Sequence, residues 1–235
     1  MTKEEFIEEL KKLEIILNEK QLMQLDYYYH LLIEENEKIN LTAITEEKKV
    51  YLKHFYDSLT IAKEVNLNKI ESLCDIGTGA GFPGLVLKIA FPSLQVTLVD
   101  ALNKRILFLN KVIDALGLKN IQTVHNRMED YSKVNREKFD IVTARAVAPL
   151  KELVEYGAPA LKVGGKLLFM KGNIKEEELD NIERVMNALK VEKIEMHTFM
   201  LPIENSTRTL VSFIKKEITP KKYPRKYKEI KNCSL

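Results

Sequence analysis

The chain has 235 residues, of which 45% are hydrophobic, and it carries a formal net charge of +3. That length and hydrophobic content suffice for one large α/β domain with a full core and a small appendage. No apolar run approaches the ~18 residues that a membrane span requires, and the charged first residues do not resemble a secretory signal. We therefore expect a cytoplasmic protein with no membrane partner.

The first 65 residues are expected to form an N-terminal helical cap, because they show helical periodicity and no strand signal. Thr2 and Glu5 have capping-box spacing at the start of a helix expected over residues 1–17. A second helical pattern runs from Leu22 to Glu35, and a third begins at Thr45. These helices should pack on the sheet domain that follows.

Residues 66–217 alternate between strand and helix patterns, which is typical of a doubly wound α/β sheet. Two late strands are separated by only a short connection, which favours antiparallel pairing between them. We expect five parallel strands plus this antiparallel pair, that is, a seven-stranded, mostly parallel, Rossmann-like sheet. The first strand should end at Asp75, and the others should cover residues 94–99, 121–124, 139–144, 166–170, 191–199 and 207–214.

A glycine-rich turn, Asp75–Gly84, follows the first expected strand and leads into a helix. Gly77, Gly79 and Gly81 alternate along it, and glycine permits both a positive φ and close approach of a ligand to the backbone. Phe82 stands where the dinucleotide fingerprint needs a third glycine, which disfavours an NAD-dependent dehydrogenase.

An acid at the strand end suits S-adenosylmethionine, which has an amino-acid end and a sulfonium but no phosphate. The glycine turn and the strand pattern therefore predict a Rossmann-like, S-adenosylmethionine-dependent methyltransferase. A glycine-rich turn that binds nothing is the alternative interpretation.

Two further segments are candidates for cofactor contacts, because ligands of such sheets bind beyond the carboxyl ends of the strands. Asp100 closes the second strand and is placed to accept hydrogen bonds from ribose hydroxyls, while Asn103 is a plausible N-cap for the next helix. After the third strand, Met128 and Glu129 should flank the adenine, together with Phe82.

The end of the fourth strand carries Arg145 in the segment Ala144–Val147. Enzymes that methylate an exocyclic base amine place an Asn/Asp-Pro-Pro-aromatic segment here, and pyrimidine carbon methyltransferases need a nearby nucleophilic cysteine. The chain has neither, so the acceptor should already possess a free lone pair. Arg145 could bind the cofactor carboxylate, a phosphate or the face of a base; a structural surface arginine is the alternative.

Neither the histidines nor the cysteines are spaced like metal ligands, so we expect no metal. Cys74 falls in a buried strand and Cys233 in the tail, which argues against a disulfide and a cysteine-based zinc site. His54, Asp57 and Ser58 fall on one expected helix, where no triad geometry follows. We interpret these three as packing and polar-face residues.

The last segment, residues 218–235, is expected to be a basic C-terminal tail. From Lys215 to Lys231 there are eight Lys or Arg and two Glu residues, whereas the rest of the chain is slightly acidic. This asymmetry indicates a segment that contacts a polyanion, although basic termini are often simply solvated.

Segments from nearly the whole chain match the pattern of one known family: Asn40–Ile44, His54–Leu59, Asp75–Gly84, Val99–Asp100 with Asn103–Arg105, Arg127–Glu129, Ala144–Ala146 and Lys222–Arg225. In these segments the chain resembles the RsmG (GidB) family, bacterial enzymes that methylate nitrogen 7 of a guanosine in 16S ribosomal RNA. The resemblance implies S-adenosylmethionine as cofactor and the small-subunit RNA or 30S particle as partner. It places cofactor contacts at Gly77, Phe82, Met128, Glu129 and Arg145. Arg145, Lys222 and Arg225 are the candidates for contact with the RNA.

One segment departs from the family, because Lys226–Leu235 lacks the Gly- and Pro-containing basic end that usually follows Tyr-Pro-Arg. Two alternative functions stay open from the residues alone. One is a methyltransferase for another RNA position or for protein, and the other is a methyltransferase-like, RNA-binding ribosome-assembly factor without turnover.

Overall fold

The computed structural model describes residues 1–232 and 235, without the side chains of residues 193 and 194. Its centre is a seven-stranded sheet with the spatial order β3-β2-β1-β4-β5-β7-β6. Strand β7 is antiparallel to both of its neighbours, and all other pairs are parallel. The strands are β1 (Ser72–Ile76), β2 (Gln95–Asp100), β3 (Ile121–His125), β4 (Phe139–Arg145), β5 (Leu161–Lys171), β6 (Val191–Met200) and β7 (Thr207–Lys215).

The predicted fold class is therefore confirmed, including the antiparallel pairing of β6 with β7. The sequence did not predict that β7 would insert between β5 and β6. The helices are α1 (Lys3–Lys11), α2 (Glu19–Ile39), α3 (Glu47–Val50), α4 (Asp57–Leu59), α5 (Gly84–Ala90), α6 (Asn103–Ala115), α7 (Met128–Val134), α8 (Leu150–Gly157), α9 (Ile182–Leu189) and α10 (Tyr227–Asn232).

Helices cover the sheet on both faces. Successive strand residues point to opposite faces, so neighbours along a strand belong to different cores. Leu73 and Leu168 belong to the core that includes residues of the N-terminal helices, α5 and α6. Their neighbours Cys74 and Phe169 belong to the other core, which includes residues of α7, α8 and α9. The protein therefore has three layers, and the N-terminal helices extend one outer layer. Cys74 is a buried free thiol; Cys233 lies outside the described residues.

Helix α1 begins with the predicted capping box, in which Thr2 Oγ1 accepts from Glu5 N and a Glu5 oxygen accepts from Thr2 N. The expected extension of this helix to residue 17 was wrong, because α1 ends at Lys11. The chain turns there through Glu14, which has a φ of 57°, and Ile15 N donates to Leu10 O. This turn buries Leu13 and Ile15 against the rest of the core.

The third N-terminal helix contains a π-helical segment, Tyr51–Tyr56, between α3 and α4. A π-helical insertion widens the helix and shifts the faces on which later side chains emerge, and it is frequent at functional sites. This segment carries His54 toward the carboxyl edge of the sheet. Across the part of the chain that the structure describes, no helix is both long and apolar enough to cross a bilayer.

Candidate functional site

A cavity of about 470 Å³ lies at the carboxyl ends of the central strands. Most of the predicted cofactor residues line it: Gly77, Gly79, Phe82, Asp100, Met128, Glu129 and Arg145. Asp75 and Gly81 are buried in the turn beside this cavity rather than in its lining. The structure therefore brings the sequence candidates to one edge of the sheet, where ligands of this fold class bind.

The glycine turn is held by backbone hydrogen bonds to β2, since Gly77 N and Thr78 N both donate to Val99 O, at 2.8 and 3.1 Å. Gly81 has a φ of 103°, and a Cβ there would lie 2.8 Å from the hydroxyl oxygen of Tyr28. That hydroxyl donates to Ala80 O. The turn therefore needs glycine at this position for both its backbone conformation and the close approach of α2.

Asp75 supports the glycine turn through hydrogen bonds to its first and last parts. Its Oδ2 accepts from Thr78 Oγ1 at 2.7 Å and from Gly84 N at 2.8 Å. Its Oδ1 is buried and has no hydrogen-bond partner among the described residues. Burial raises the pKa of Asp75 to about 6. The turn thus lies over a buried acceptor that a cationic ligand would stabilise.

We expect Gly84→Ala to lower the free energy of unfolding by about 1–3 kcal/mol, the usual cost of overpacking a core. A Cβ at this position would lie 2.5 Å from Leu98 Cδ2 and 2.9 Å from Asp75 Oδ2. Chemical denaturation measures the change. Gly172→Ala is the matched control, since its Cβ would meet no atom within 4 Å. Equal stability of both variants would contradict the close packing at Gly84.

Asp100 joins the glycine turn to the start of α6. Its Oδ2 accepts from Gly79 N at 2.9 Å and from Arg105 Nη1 at 3.2 Å, and its Oδ1 accepts from Leu102 N at 2.9 Å. The prediction that Asn103 caps this helix was wrong, because Leu102 is the N-cap residue and Asp100 binds its amide. Each carboxylate oxygen accepts two hydrogen bonds, so Oδ1 retains capacity for a ribose hydroxyl.

The next wall of the cavity comes from the start of α7 and from α8. Met128 and Glu129 form the first turn of α7 after Arg127, and burial raises the pKa of Glu129. Tyr156 of α8 also lines the cavity, and its hydroxyl donates to Glu152 Oε2 at 3.2 Å. This wall offers an apolar surface beside a carboxylate.

Arg145 is largely buried, with 14% of its side chain exposed, so the alternative of a surface arginine was wrong. Its Nη1 donates to Lys53 O at 2.8 Å and lies 3.3 Å from Asp57 Oδ2. Its guanidinium carbon lies 5.0 Å from the centre of the Phe82 ring. Asp57 also accepts from Arg208 Nε at 3.1 Å. Arg145 therefore connects the cap, the sheet and the glycine turn.

His54 was interpreted from the sequence as a packing residue, but it lines the cavity. Its ring stacks on Phe82 with centres 4.4 Å apart and planes at 19°. Arg145 Nη2 lies 3.1 Å from His54 Nδ1, and His54 Nε2 lies 2.9 Å from Thr42 Oγ1. Nδ1 also lies 3.2 Å from Lys53 O. Arginine only donates, so the hydrogen bond from Arg145 requires Nδ1 to accept, which corresponds to the neutral Nε2-H tautomer.

We expect the His54 ring to remain neutral between pH 5 and 8, because burial and the neighbouring Arg145 lower its pKa to about 3. Its unfolded pKa is higher, so the stability from keeping it neutral is complete above pH 6.5 and is lost as the pH falls. Nitrogen NMR of the ring, assigned by the loss of its signals in His54→Gln, measures this. A ring titrating near pH 6.5 would contradict the buried geometry.

Further residues of the cavity were missed from the sequence as site residues. Little in the sequence indicated a role for these residues. Leu41 and Thr42 lie in a segment that matches the RsmG (GidB) family but has no motif of its own, and Tyr227 lies in the segment that departs from that family. The missed lining residues include Leu41, Thr42, His54, Arg105, Tyr156 and Tyr227.

The two tail residues predicted to contact RNA have different surroundings. Lys222 is exposed, with its Nζ 5.1 Å from the centre of the Tyr223 ring. Arg225 is half-buried, and its Nε and Nη2 donate to the two carboxylate oxygens of Glu155 at 2.9 and 2.7 Å. RNA contact by either residue stays a prediction, but Arg225 clearly ties the tail to α8.

A family model described as "GidB: rRNA small subunit methyltransferase G" matches residues 21–209. The chain is 50% identical over 225 residues to ribosomal RNA small subunit methyltransferase G of Staphylococcus carnosus, covering 94% of this chain and 93% of the relative. It is also 50% identical over 228 residues to the protein of the same name from Bacillus subtilis, covering 96% and 95%.

Among solved structures, the chain is similar to a 16S rRNA (adenine(1408)-N(1))-methyltransferase variant from Catenulisporales acidiphilia, with cosubstrate SAM. The TM-score is 0.54 at 16% identity, covering 63% of this chain and 85% of that chain, which supports the fold alone. The family model, by contrast, matches residues 21–209, and the two relatives are 50% identical to this chain over nearly its whole length. The predicted resemblance is therefore confirmed. The chain belongs to the GidB family, rRNA small subunit methyltransferase G.

Proposed function

We propose that this protein transfers a methyl group from S-adenosylmethionine to nitrogen 7 of a guanosine in 16S ribosomal RNA. The observation that carries the proposal is 50% identity over 94% of the chain to a relative named ribosomal RNA small subunit methyltransferase G. The choice of guanine nitrogen 7 follows the family resemblance and agrees with the lack of an Asn/Asp-Pro-Pro segment at Ala144–Val147.

The cavity fits this cofactor along its length. The buried carboxylate of Asp75 and the turn at Gly77, Gly79 and Gly81 attract the ammonium group of the amino-acid end. Asp100 retains acceptor capacity for the ribose hydroxyls. The adenine lies against Met128 and Glu129 at the start of α7. Phe82, whose ring stacks on His54 and lies tilted against Tyr28, covers the reacting centre rather than the adenine that we expected from the sequence.

The methyl acceptor approaches from the side of Arg145 and His54. Nitrogen 7 of guanine has a free lone pair at neutral pH, so no side chain needs to remove a proton before the reaction. The cofactor supplies an electrophilic methyl carbon: a carbon-nitrogen bond forms as the carbon-sulfur bond breaks, and the electron pair stays on sulfur. Catalysis then rests on positioning and exclusion of water, with gains of about 7–11 kcal/mol at best.

We assign roles to the three parts of the chain on the same basis. Residues 1–65 form the helical cap that supplies His54 to the acceptor side, and residues 66–217 form the methyltransferase domain. Residues 218–235 form the basic tail. Arg145, Lys222 and Arg225 stay the candidates for RNA contact, with the small-subunit RNA or the assembled 30S particle as the partner.

The test uses radioactive S-adenosylmethionine with 30S particles and with naked 16S RNA from a strain lacking the enzyme. We expect one methyl group per RNA molecule, located on a guanosine by mass spectrometry. Labelling of another nucleotide would overturn the choice of acceptor. Cofactor binding without labelling of any RNA would favour the non-catalytic assembly factor.

A further inference from the structure

The C-terminal tail brings an aromatic residue to the proposed cofactor cavity. Tyr227 opens helix α10 and lines the same cavity as Asp100, Met128 and Glu129, although it lies about a hundred residues from them in sequence. Its side chain stays 41% exposed. The tail lies beyond the family match, which ends at residue 209. Tyr227 thus lines the site from a segment outside the residues that the family model matches.

The tail is fixed to the body on both sides of its Tyr223–Pro224 bond. Arg136 Nη1 donates to Tyr223 O at 2.8 Å, and its Nη2 donates to Thr219 O. Arg225 N and its guanidinium donate to the buried carboxylate of Glu155 in α8. A charged pair held by several hydrogen bonds at a buried carboxylate is strong and directional. These contacts fix where the backbone enters α10.

Tyr227 itself is held beside the start of α7. The guanidinium carbon of Arg127 lies 4.7 Å from the centre of the Tyr227 ring, and Lys231 Nζ lies 5.9 Å from it. Lys231 in turn forms an ion pair of 2.7 Å with Glu152 of α8. Arg127 directly precedes Met128 and Glu129, so the Tyr227 ring lies at the adenosine end of the cavity. The acceptor side, with Arg145 and His54, is formed by different elements.

We propose that Tyr227 is a cofactor-positioning residue whose ring contacts the adenosine part of S-adenosylmethionine, and that the Arg225–Glu155 pair holds it there. This inference rests on the proposed function. An aromatic ring beside a purine is a suitable partner because every base has a π face on which it can stack. The tail therefore contributes to cofactor affinity, separately from any contact with RNA.

The test measures binding by calorimetry without RNA, using the full chain and two probes. S-adenosylhomocysteine contains both the adenosine and the amino-acid end, whereas methylthioadenosine contains only the adenosine. We expect Tyr227→Ala to weaken both probes by a similar factor of about tenfold, a typical loss for one stacked base. Tyr227→Phe should bind like the wild type, and Tyr27→Ala, an exposed tyrosine on α2, serves as the control.

Glu155→Gln tests whether the Arg225–Glu155 pair positions Tyr227, and thermal melting verifies that the variant is folded. We expect it to weaken both probes less than Tyr227→Ala does, and to add nothing further in the Tyr227→Ala background. Unchanged affinity in Tyr227→Ala would overturn the assignment. So would an increased KM for RNA with an unchanged KM for S-adenosylmethionine, since Tyr227 would then face the RNA. Failure of the wild type to bind either probe would instead reject the proposed function.

Discussion

Replacing Arg145 with alanine is expected to lower the free energy of unfolding by about 3–5 kcal/mol, the usual cost of removing one partner from a buried ion pair. The carboxylate of Asp57 is buried and, among the residues that the structure describes, would keep only Arg208 as a charged partner. His54 Nδ1 would lose its donor. In a chain of this size the melting temperature should fall by about 2–4 °C for each kcal/mol.

The same variant should also lose about 100-fold or more in the rate of methyl transfer, because small displacements of the groups that align two reactants have effects of that size. Arg145 fixes both His54 and Phe82, the two rings that border the reacting centre. Single-turnover methylation of 30S particles measures the chemical step separately from cofactor binding.

Two controls separate positioning from general loss of structure. Arg145→Lys keeps the charge but not the planar fork that reaches three partners, so we expect partial recovery of stability and little recovery of rate. Arg184→Ala, at an exposed position on α9, should change the unfolding free energy by less than about 0.5 kcal/mol. Methylation by Arg145→Ala at the wild-type rate would refute the role of this residue.

The sequence predicted the sheet and the glycine turn well because both are encoded locally. Consecutive apolar residues such as Leu73 and Cys74 mark a strand buried on both faces, and the glycines mark a turn that other residues would strain. Family membership confirms the predicted methyltransferase class. These features depend on neighbours in sequence, so one sequence suffices to identify them.

The acceptor side of the site could not be predicted in the same way. His54 and Asp57 appear on an ordinary helical face, and only the π-helical segment and the fold of the cap bring them to Arg145, about ninety residues away in sequence. Tyr227 reaches the cavity because of the Arg225–Glu155 pair, which spans 70 residues. Such contacts depend on tertiary packing, which local propensity and periodicity do not encode.

Asp75→Asn is expected to weaken binding of S-adenosylmethionine and S-adenosylhomocysteine by about 10- to 100-fold. Asn retains an oxygen for Thr78 and Gly84 but removes the buried charge. Two unit charges several ångströms apart interact by about 2–3 kcal/mol at an effective dielectric constant of about 20, which corresponds to this range without a direct contact. Methylthioadenosine lacks the amino-acid end and its ammonium group, so its affinity for the variant should stay within about threefold of wild type if the turn is intact.

The pH dependence provides a second and independent measure of the same charge. The pKa of Asp75 is raised by burial from 3.8 to about 6 in the unliganded protein. Because the folded pKa is the higher one, the buried charge costs stability above pH 6, and this cost is relieved as the pH falls from about 6 toward 4. An ammonium group on the ligand prefers the ionised carboxylate, so the affinity for such a ligand should change in the opposite direction.

Calorimetric titration of S-adenosylhomocysteine should therefore give a Kd about tenfold weaker at pH 5 than at pH 7, since only about one tenth of Asp75 is ionised one unit below its pKa. Asp75→Asn should show a flat profile over this range. Methylthioadenosine should bind the wild type with a nearly constant Kd, because it carries no cation for the carboxylate to attract. A pH dependence that survives in Asp75→Asn would assign the titration to another group and remove Asp75 from the recognition of the amino-acid end.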